Sequence, residues 1–322
     1  MVLVVLGIDA LDPDLVDTSD HPNLTLERHR AIETIDSVEG EPSTHELWPT
    51  IITGLTPEEH GLKLDDGVAW ENPVLRYGSA AGNYLLPDAL QTKIGAWLLN
   101  NTGEDAFRVP ATYYEEQGLS TVFDGREAAT IGIPNYVVDP ETEDREHSLR
   151  RNLGDLFERD GSAPGGHTSA DPAAFYEQCL EMSMIRLARA RRALRGGRKE
   201  LVFAYTSGLD LIGHVSYDHP GLQRQAYEEL DEFVGELVDD LREDDELLLV
   251  SDHGLQDGVH THEAMVAGTS SRLVEDIESV RDVRAAIEAE LDHHDHSGPG
   301  GQSLSMGDND AVTSQLEDLG YM

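Results

Sequence analysis

The chain has a single cysteine, Cys179, among 322 residues. An intrachain disulfide and a cysteine-rich zinc site are therefore excluded. Lysine is nearly absent, with only Lys63, Lys93 and Lys199. Lysine and arginine together number 23 against 63 aspartates and glutamates, a formal net charge of −40. So few cations argue against binding to duplex nucleic acid or to an anionic membrane. No run approaches the ~20 apolar residues of a membrane-spanning helix. The opening Met1-Val2-Leu3-Val4-Val5-Leu6-Gly7-Ile8-Asp9 lacks a basic segment and ends in an acid. It reads as a buried first strand rather than a secretion signal, so a cytoplasmic location is expected.

Apolar residues make up 39% of the chain, enough for a buried core. The length suits one large α/β domain with insertions. The acids are spread along the whole chain rather than gathered in a tail. Disordered acidic chains lack long apolar strands, and this one has several. The composition therefore points to a halophilic fold, with self-repulsion screened by concentrated salt.

Val2 to Ile8 is continuously apolar, as in a strand covered on both faces. Asp171-Pro172 reads as a helix cap and first turn. The helix behind it carries Tyr176, Leu180, Met184, Leu187 and Leu194 on one face and stops at Gly196-Gly197. A strand over Leu201 to Tyr205 follows. Next come an amphipathic helix over Gln223 to Leu241 and a strand over Glu246 to Val250. A further strand spans Ala129 to Ile133. Alternating helices and strands of these lengths predict a mostly parallel sheet flanked by helices. Irregular segments, about 64–127 and 134–170, are expected as cap-like insertions shaping a site within a single domain spanning 1–322. Ser297 to Gly301 reads as a linker before a short helix, Asp310 to Leu319.

Three acids follow strands: Asp9, Asp210 and Asp252. In a parallel sheet, positions just past the strand ends line one crevice. Each alone is an ordinary loop acid or helix cap. Asp210 and His214 are spaced i, i+4, on one face of a helical turn. Asp252-His253-Gly254 sets two ligand types side by side. His260 and His262 precede the apolar run Ala264 to Gly268. Carboxylates and imidazoles without thiolate suit Zn²⁺ or Mn²⁺. In Ser43-Thr44-His45-Glu46-Leu47-Trp48-Pro49-Thr50-Ile51-Ile52-Thr53-Gly54, Pro49 is expected to start a short helix and Gly54 to end it. Thr44 then lies in the loop entering it, near free backbone N–H groups that favour an anion. His293-His294-Asp295-His296 reads as a solvated loop, Cys179 as packing, and His60 as orienting the turn after that helix.

Together these parts resemble the alkaline phosphatase superfamily, in particular its type I phosphodiesterase/nucleotide pyrophosphatase branch. The resemblance rests on Asp9 after the first strand and on Thr44 nine residues before Thr53 of Thr53-Gly54-Leu55-Thr56-Pro57-Glu58-Glu59-His60-Gly61. It continues through Asp210 with His214, Asp252-His253-Gly254, and a final histidine before an apolar strand. Their order is kept from 9 to 268. A Cys- or Ser-x-Pro-x-Arg signature, which marks sulfatases, is missing around Thr44.

The resemblance implies an alkaline-phosphatase-like α/β core and a metal-dependent hydrolase of small phosphate esters. Thr44 would be the catalytic nucleophile, forming a phospho-threonine intermediate. Two divalent ions are implied, Zn²⁺ or alternatively Mn²⁺. One would be held by Asp210, His214 and His260, the last preferred over His262 for its spacing to the strand. The other would be held by Asp9, Asp252, His253 and the Thr44 oxygen. Two alternatives share this core: a catalytically inactive metal- or ligand-binding member, and a metal-dependent phosphomutase.

Overall fold

The N-terminal apolar run forms β1 (Leu3–Ile8), buried along its whole length. Val4, Leu6 and Ile8 enter one hydrophobic cluster, and Leu3 and Val5 enter another on the opposite face. That alternation is what a pleated strand between two layers requires. The computed structural model describes residues 1–37, 40–63, 109–139, 153 and 156–293. The 64–108 part of the first insertion, the linker at 297–301, the helix expected at 310–319 and His294 to His296 lie outside the described residues.

Among the described residues the main sheet has six strands: β1, β2 (Arg28–Glu33), β3 (Ala128–Ile131), β6 (Leu201–Thr206), β7 (Glu246–Val250) and β10 (Glu263–Gly268), in the order β2-β10-β7-β1-β6-β3. β7, β1, β6 and β3 are parallel. β10 runs against both of its neighbours, β7 and β2. β2 had no reading in the sequence, because only Ile32 of its six residues is buried and it shows no apolar alternation. Two short ladders join the remaining strands, β4 (Glu158–Arg159) with β5 (His167–Thr168), and β8 (Gly254–Gln256) with β9 (Val259–Thr261).

One sheet face is covered by α5 (Pro172–Gly196), α6 (Gly208–Val215) and α7 (Pro220–Val238). Asp171 accepts from the Ala174 amide at 3.1 Å, and Gly197 ends α5 in the left-handed region. The buried stripe of α5 passes through Phe175, Cys179 and Ser183. Met184, expected inward, is 47% exposed, because Ser183 takes the inward position and donates to the Cys179 carbonyl. The other face is covered by α2 (Thr44–Thr53), α4 (Thr112–Gln117) and α8 (Val283–His293). Two further short helices lie among the described residues, α1 (Pro22–Thr25) and α3 (Pro57–His60). Residues 109–127 of the first expected insertion thus contribute Tyr114, Val122 and Phe123 to the core.

The helix expected to begin at Pro49 begins at Thr44 and carries Pro49 inside it. The Ser43 carbonyl accepts from the amides of Glu46 and Leu47, both at 2.9 Å, and so starts the helix before the proline. Trp48 on α2 packs over Gly7. A Cβ there would lie 2.3 Å from the indole, so only glycine admits the helix this close to β1.

The excess of 63 acids over 23 bases leads to a first prediction. Repulsion among surface carboxylates reaches about 10 Å at 0.1 M salt and about 3 Å near 1 M. The Tm should therefore rise steeply between about 0.1 M and about 1 M KCl. A Tm that stays constant across that range would exclude charge repulsion as a limit on stability.

Candidate metal centre

β1, β6 and β7 end at nearly one level, since Ile8 pairs with Thr206 and Gly7 with Val250. The residues that follow them emerge at one sheet edge. Asp9 follows β1, Asp252 and His253 follow β7, and α6 after β6 carries Asp210 and His214 on one face, with Oδ1 and Nε2 3.3 Å apart. β8 and β9 bring in the last imidazole. Asp257 (φ 51°) and Gly258 (φ 82°) form the two-residue turn between them. Positive φ at both positions suits a tight hairpin. The hairpin sets His260 opposite Leu255 and stacks its ring on His253, centroids 4.0 Å apart. His262 is directed elsewhere. It is exposed and pairs with Asp36 at 2.6 Å.

The side chains form two groups, Asp210 with His214 and His260, and Asp9 with Asp252 and His253. Within each, the potential ligand atoms lie within 4.8 Å of one another. The three imidazoles share one arrangement. Nδ1 of His214 faces the Gly258 carbonyl at 3.0 Å, that of His253 faces Gly254 at 3.1 Å, and that of His260 faces Pro42 at 2.9 Å. A carbonyl only accepts, so each Nδ1 carries the proton and each Nε2 is left to bind a cation. Nε2 of His214 and Nε2 of His260 are 3.1 Å apart, a separation that requires a shared proton or a cation. Both oxygens of Asp252 are buried without a hydrogen-bond partner, and Oδ1 of Asp210 meets only Nε2 of His214 and Nε2 of His260, each at 3.3 Å. These donors fit divalent metal ions of the zinc type.

Electrostatics separate the two groups. Burial, then Asp252 and Asp210, pushes the Asp9 carboxyl well above its ordinary range. Burial and then Asp210 raise Asp252 to about 6. His260 is raised to about 9: burial opposes its charge, but the hydrogen bond and charge of Asp210 prevail. His253 is lowered by burial and by the neighbouring His260.

Thr44 Oγ1 lies 3.2 Å from Asp9 Oδ1 and 3.1 Å from His253 Nε2. The adjoining cavity, of about 250 Å³, is lined by Thr44, His45, Glu41, Asp210, His214 and His260 among others. Thr50, a nearby hydroxyl, instead donates to the Glu46 carbonyl at 3.0 Å inside α2. His60 is buried. Its Nδ1 accepts from the Leu62 amide and its Nε2 faces the Glu46 carbonyl, so it braces α2 and α3 rather than joining either group.

Sequence reasoning overlooked two residues around this centre. Tyr205, at the end of β6, donates its hydroxyl to Asp9 Oδ2 at 2.5 Å. Its one signal was a polar aromatic in an otherwise apolar strand. Asn135, in the loop after β3 and just past Pro134, donates to the His45 carbonyl at 2.9 Å. Its signal was its place after a parallel strand, where the acids also lie.

A mostly parallel sheet flanked by helices thus gathers two carboxylate–imidazole groups and a threonine at one edge. Residues 3–300 match the family model described as type I phosphodiesterase / nucleotide pyrophosphatase, and the chain belongs to that family. Among solved structures it is similar to the PH0037 protein from Pyrococcus horikoshii, with 12% identity, a TM-score of 0.44, and 92% of this chain and 98% of that one covered. It is also similar to murine ectonucleotide pyrophosphatase/phosphodiesterase 5, with 16% identity, a TM-score of 0.39, and 79% of this chain covered but only 57% of the murine one. Alkaline phosphatase from the Antarctic bacterium TAB5 has 11% identity and a TM-score of 0.40, over 90% of this chain and 98% of that one. No curated protein sequence matches the chain. Among the described residues, no helix is long and apolar enough to cross a membrane.

Proposed function

We propose that the protein hydrolyses small phosphate esters through a covalent phosphoryl group on Thr44. The observation that carries this reading is the Thr44 hydroxyl 3.1–3.2 Å from the His253 and Asp9 ligand atoms, in the lining of the cavity. Asp210, His214 and His260 would hold one divalent ion. Asp9, Asp252, His253 and the Thr44 oxygen would hold the other, with Zn²⁺ the expected metal and Mn²⁺ the alternative. When bound, such ions lower the pKa of a hydroxyl or water and offset charge in an in-line phosphoryl transfer.

Thr44 loses its hydroxyl proton to solvent, and its Oγ1 forms a bond to phosphorus. The bond from phosphorus to the leaving oxygen breaks, and the alcohol departs with a proton. Water then attacks phosphorus and gives up a proton, the bond to Thr44 Oγ1 breaks, Oγ1 takes up a proton to restore the hydroxyl, and phosphate or a monoester leaves. Tyr205 holds Asp9 in place by its hydrogen bond throughout. The N-terminus of α2, with the partial positive charge of a helix start, favours an anion there.

Turnover of p-nitrophenyl phosphate and bis(p-nitrophenyl) phosphate with added Zn²⁺ or Mn²⁺ tests the reading. Release of p-nitrophenol supports it, and the ratio of the two rates gives the ester preference. Bound metal without turnover of either ester favours an inactive binding member. Transfer of phosphoryl between two positions of a sugar phosphate, without net hydrolysis, favours a mutase.

The ligand assignment makes its own prediction. His260 faces Asp210 and His214, whereas His262 pairs with Asp36 at the surface. His260→Ala should therefore remove one metal of two, and His262→Ala should remove none. Elemental analysis giving the reverse would overturn the assignment of His260.

A further inference from the structure

Pro49 is the sixth residue of α2. Its nitrogen carries no hydrogen, so the carbonyl four residues back, His45, has no donor within the helix. A carbonyl left unpaired in the interior is costly, and native structures supply it a partner. Here the partner comes from another element: Asn135 Nδ2 donates to the His45 carbonyl at 2.9 Å. Asn135 is 6% exposed and holds φ at 56°, a left-handed conformation that asparagine tolerates better than most residues. Its own carbonyl accepts from the Tyr114 hydroxyl of α4 at 2.8 Å. The Asn135 backbone is thus fixed by Tyr114, while its side-chain Nδ2 holds the residue directly after Thr44.

We propose that Asn135 is a positioning residue for Thr44. The proline opens a vacancy in the ladder of α2, and Asn135 fills it. This ties the first turn of the helix to the loop after β3, on the same sheet edge that carries the two ligand groups. The hydroxyl of Thr44 is thereby held against Asp9 and His253. Its partner on α3, His60, faces the next carbonyl, that of Glu46, at 3.2 Å, so two successive carbonyls of this turn are gripped by side chains from outside the helix. The proposal rests on reading Thr44 as the nucleophile. An in-line attack is sensitive to displacement of about 1 Å, which costs on the order of a hundredfold in rate.

The test compares Asn135→Gly and Asn135→Asp in the native background and with Pro49→Ala. Glycine keeps the left-handed backbone and the carbonyl that Tyr114 holds, and removes only the amide. Aspartate keeps the size and replaces the donor with an acceptor. Both should lower kcat about tenfold to a hundredfold, with KM and bound metal unchanged. Amide hydrogen exchange across residues 46–53 should quicken. In the Pro49→Ala background the helix supplies its own N–H to His45, so the loss of Asn135 should cost less than about threefold. Equal losses in the two backgrounds, a loss that appears in KM or in metal content, or unchanged exchange would each overturn the proposal. Should the unaltered protein turn over no phosphate ester, the reading of Thr44 fails. The exchange measurements then decide separately whether Asn135 holds the helix.

Discussion

Thr44→Ala should lower phosphate ester hydrolysis on the order of a thousandfold or more, while both metals stay bound. Three hydroxyls, Ser43, Thr44 and Thr50, lie close in sequence, and only one can be the nucleophile. Thr50 is committed to the Glu46 carbonyl. Ser43 is the residue before the helix, and its carbonyl starts the ladder. Of the three, Thr44 places its oxygen within hydrogen-bond distance of both Asp9 and His253. The carboxylates and imidazoles remain in the variant, so metal content should not change. Thr44→Ser should keep partial activity, since the oxygen remains on a side chain with freer rotation. Substrate trapped at acidic pH should leave phosphate on the peptide that contains Thr44. Undiminished turnover by Thr44→Ala, or phosphate mapped by mass spectrometry to Ser43, would overturn the assignment.

The strands that carry the centre were legible because they are buried on both faces. Leu3–Ile8, 201–204 and 247–250 are unbroken apolar runs within their strands. β2 was illegible because an edge strand with one buried residue leaves no periodic signature. Helix α8 was also unread. Its buried residues Val283, Ile287, Glu290 and Leu291 include an acid, held by Arg272 at 2.7 Å, which breaks the apolar stripe. The start of α2 was misplaced because proline usually opens a helix. Here the Ser43 carbonyl opens it earlier, and Asn135 compensates the carbonyl that Pro49 leaves unpaired. That compensation is long-range, between residues 135 and 45, and no local pattern carries it.

The seven candidate site residues were read by a different route, from the order of short motifs along the chain rather than from periodicity. The structure brings Asp9, Thr44, Asp210, His214, Asp252, His253 and His260 to one edge. What the sequence could not carry is the orientation of the rings. The carbonyls of Gly254, Gly258 and Pro42 that set each Nδ1 belong to backbone whose direction depends on the hairpin turn at Asp257-Gly258 and on the loop before α2. Tyr205 was passed over for a related reason. A tyrosine in a buried strand reads as packing until its hydroxyl is seen to meet Asp9.

With metal chelated, the protein should lose stability as pH rises above about 4, and bound metal should abolish that loss. Unfolded, Asp252 titrates near 3.8; folded, burial and then Asp210 push it up to about 6. The folded chain therefore keeps its proton longer than the unfolded chain. Unfolding free energy falls with rising pH across that window, by about 1.4 kcal/mol per unit for one such group. Asp9 is raised for the same first reason, burial, and adds in the same direction. His260, raised from 6.5 to about 9, gives stability that is complete below 6.5 and lost as pH rises through about 9. Asp210 has the opposite sign. His214 and His260 hold it low against burial, so its contribution is present above 3.8 and lost only in acid. Metal ions take the place of the protons and offset the buried carboxylates. At a free concentration near 1,000 Kd each site adds about 4 kcal/mol, so two sites raise the Tm on the order of 10 °C. Melts in molar KCl, which screens the surface acids, should therefore fall between pH 5 and pH 8 with chelator and stay level or rise with Zn²⁺. Identical pH profiles with and without metal would show that these two buried groups do not hold a cation.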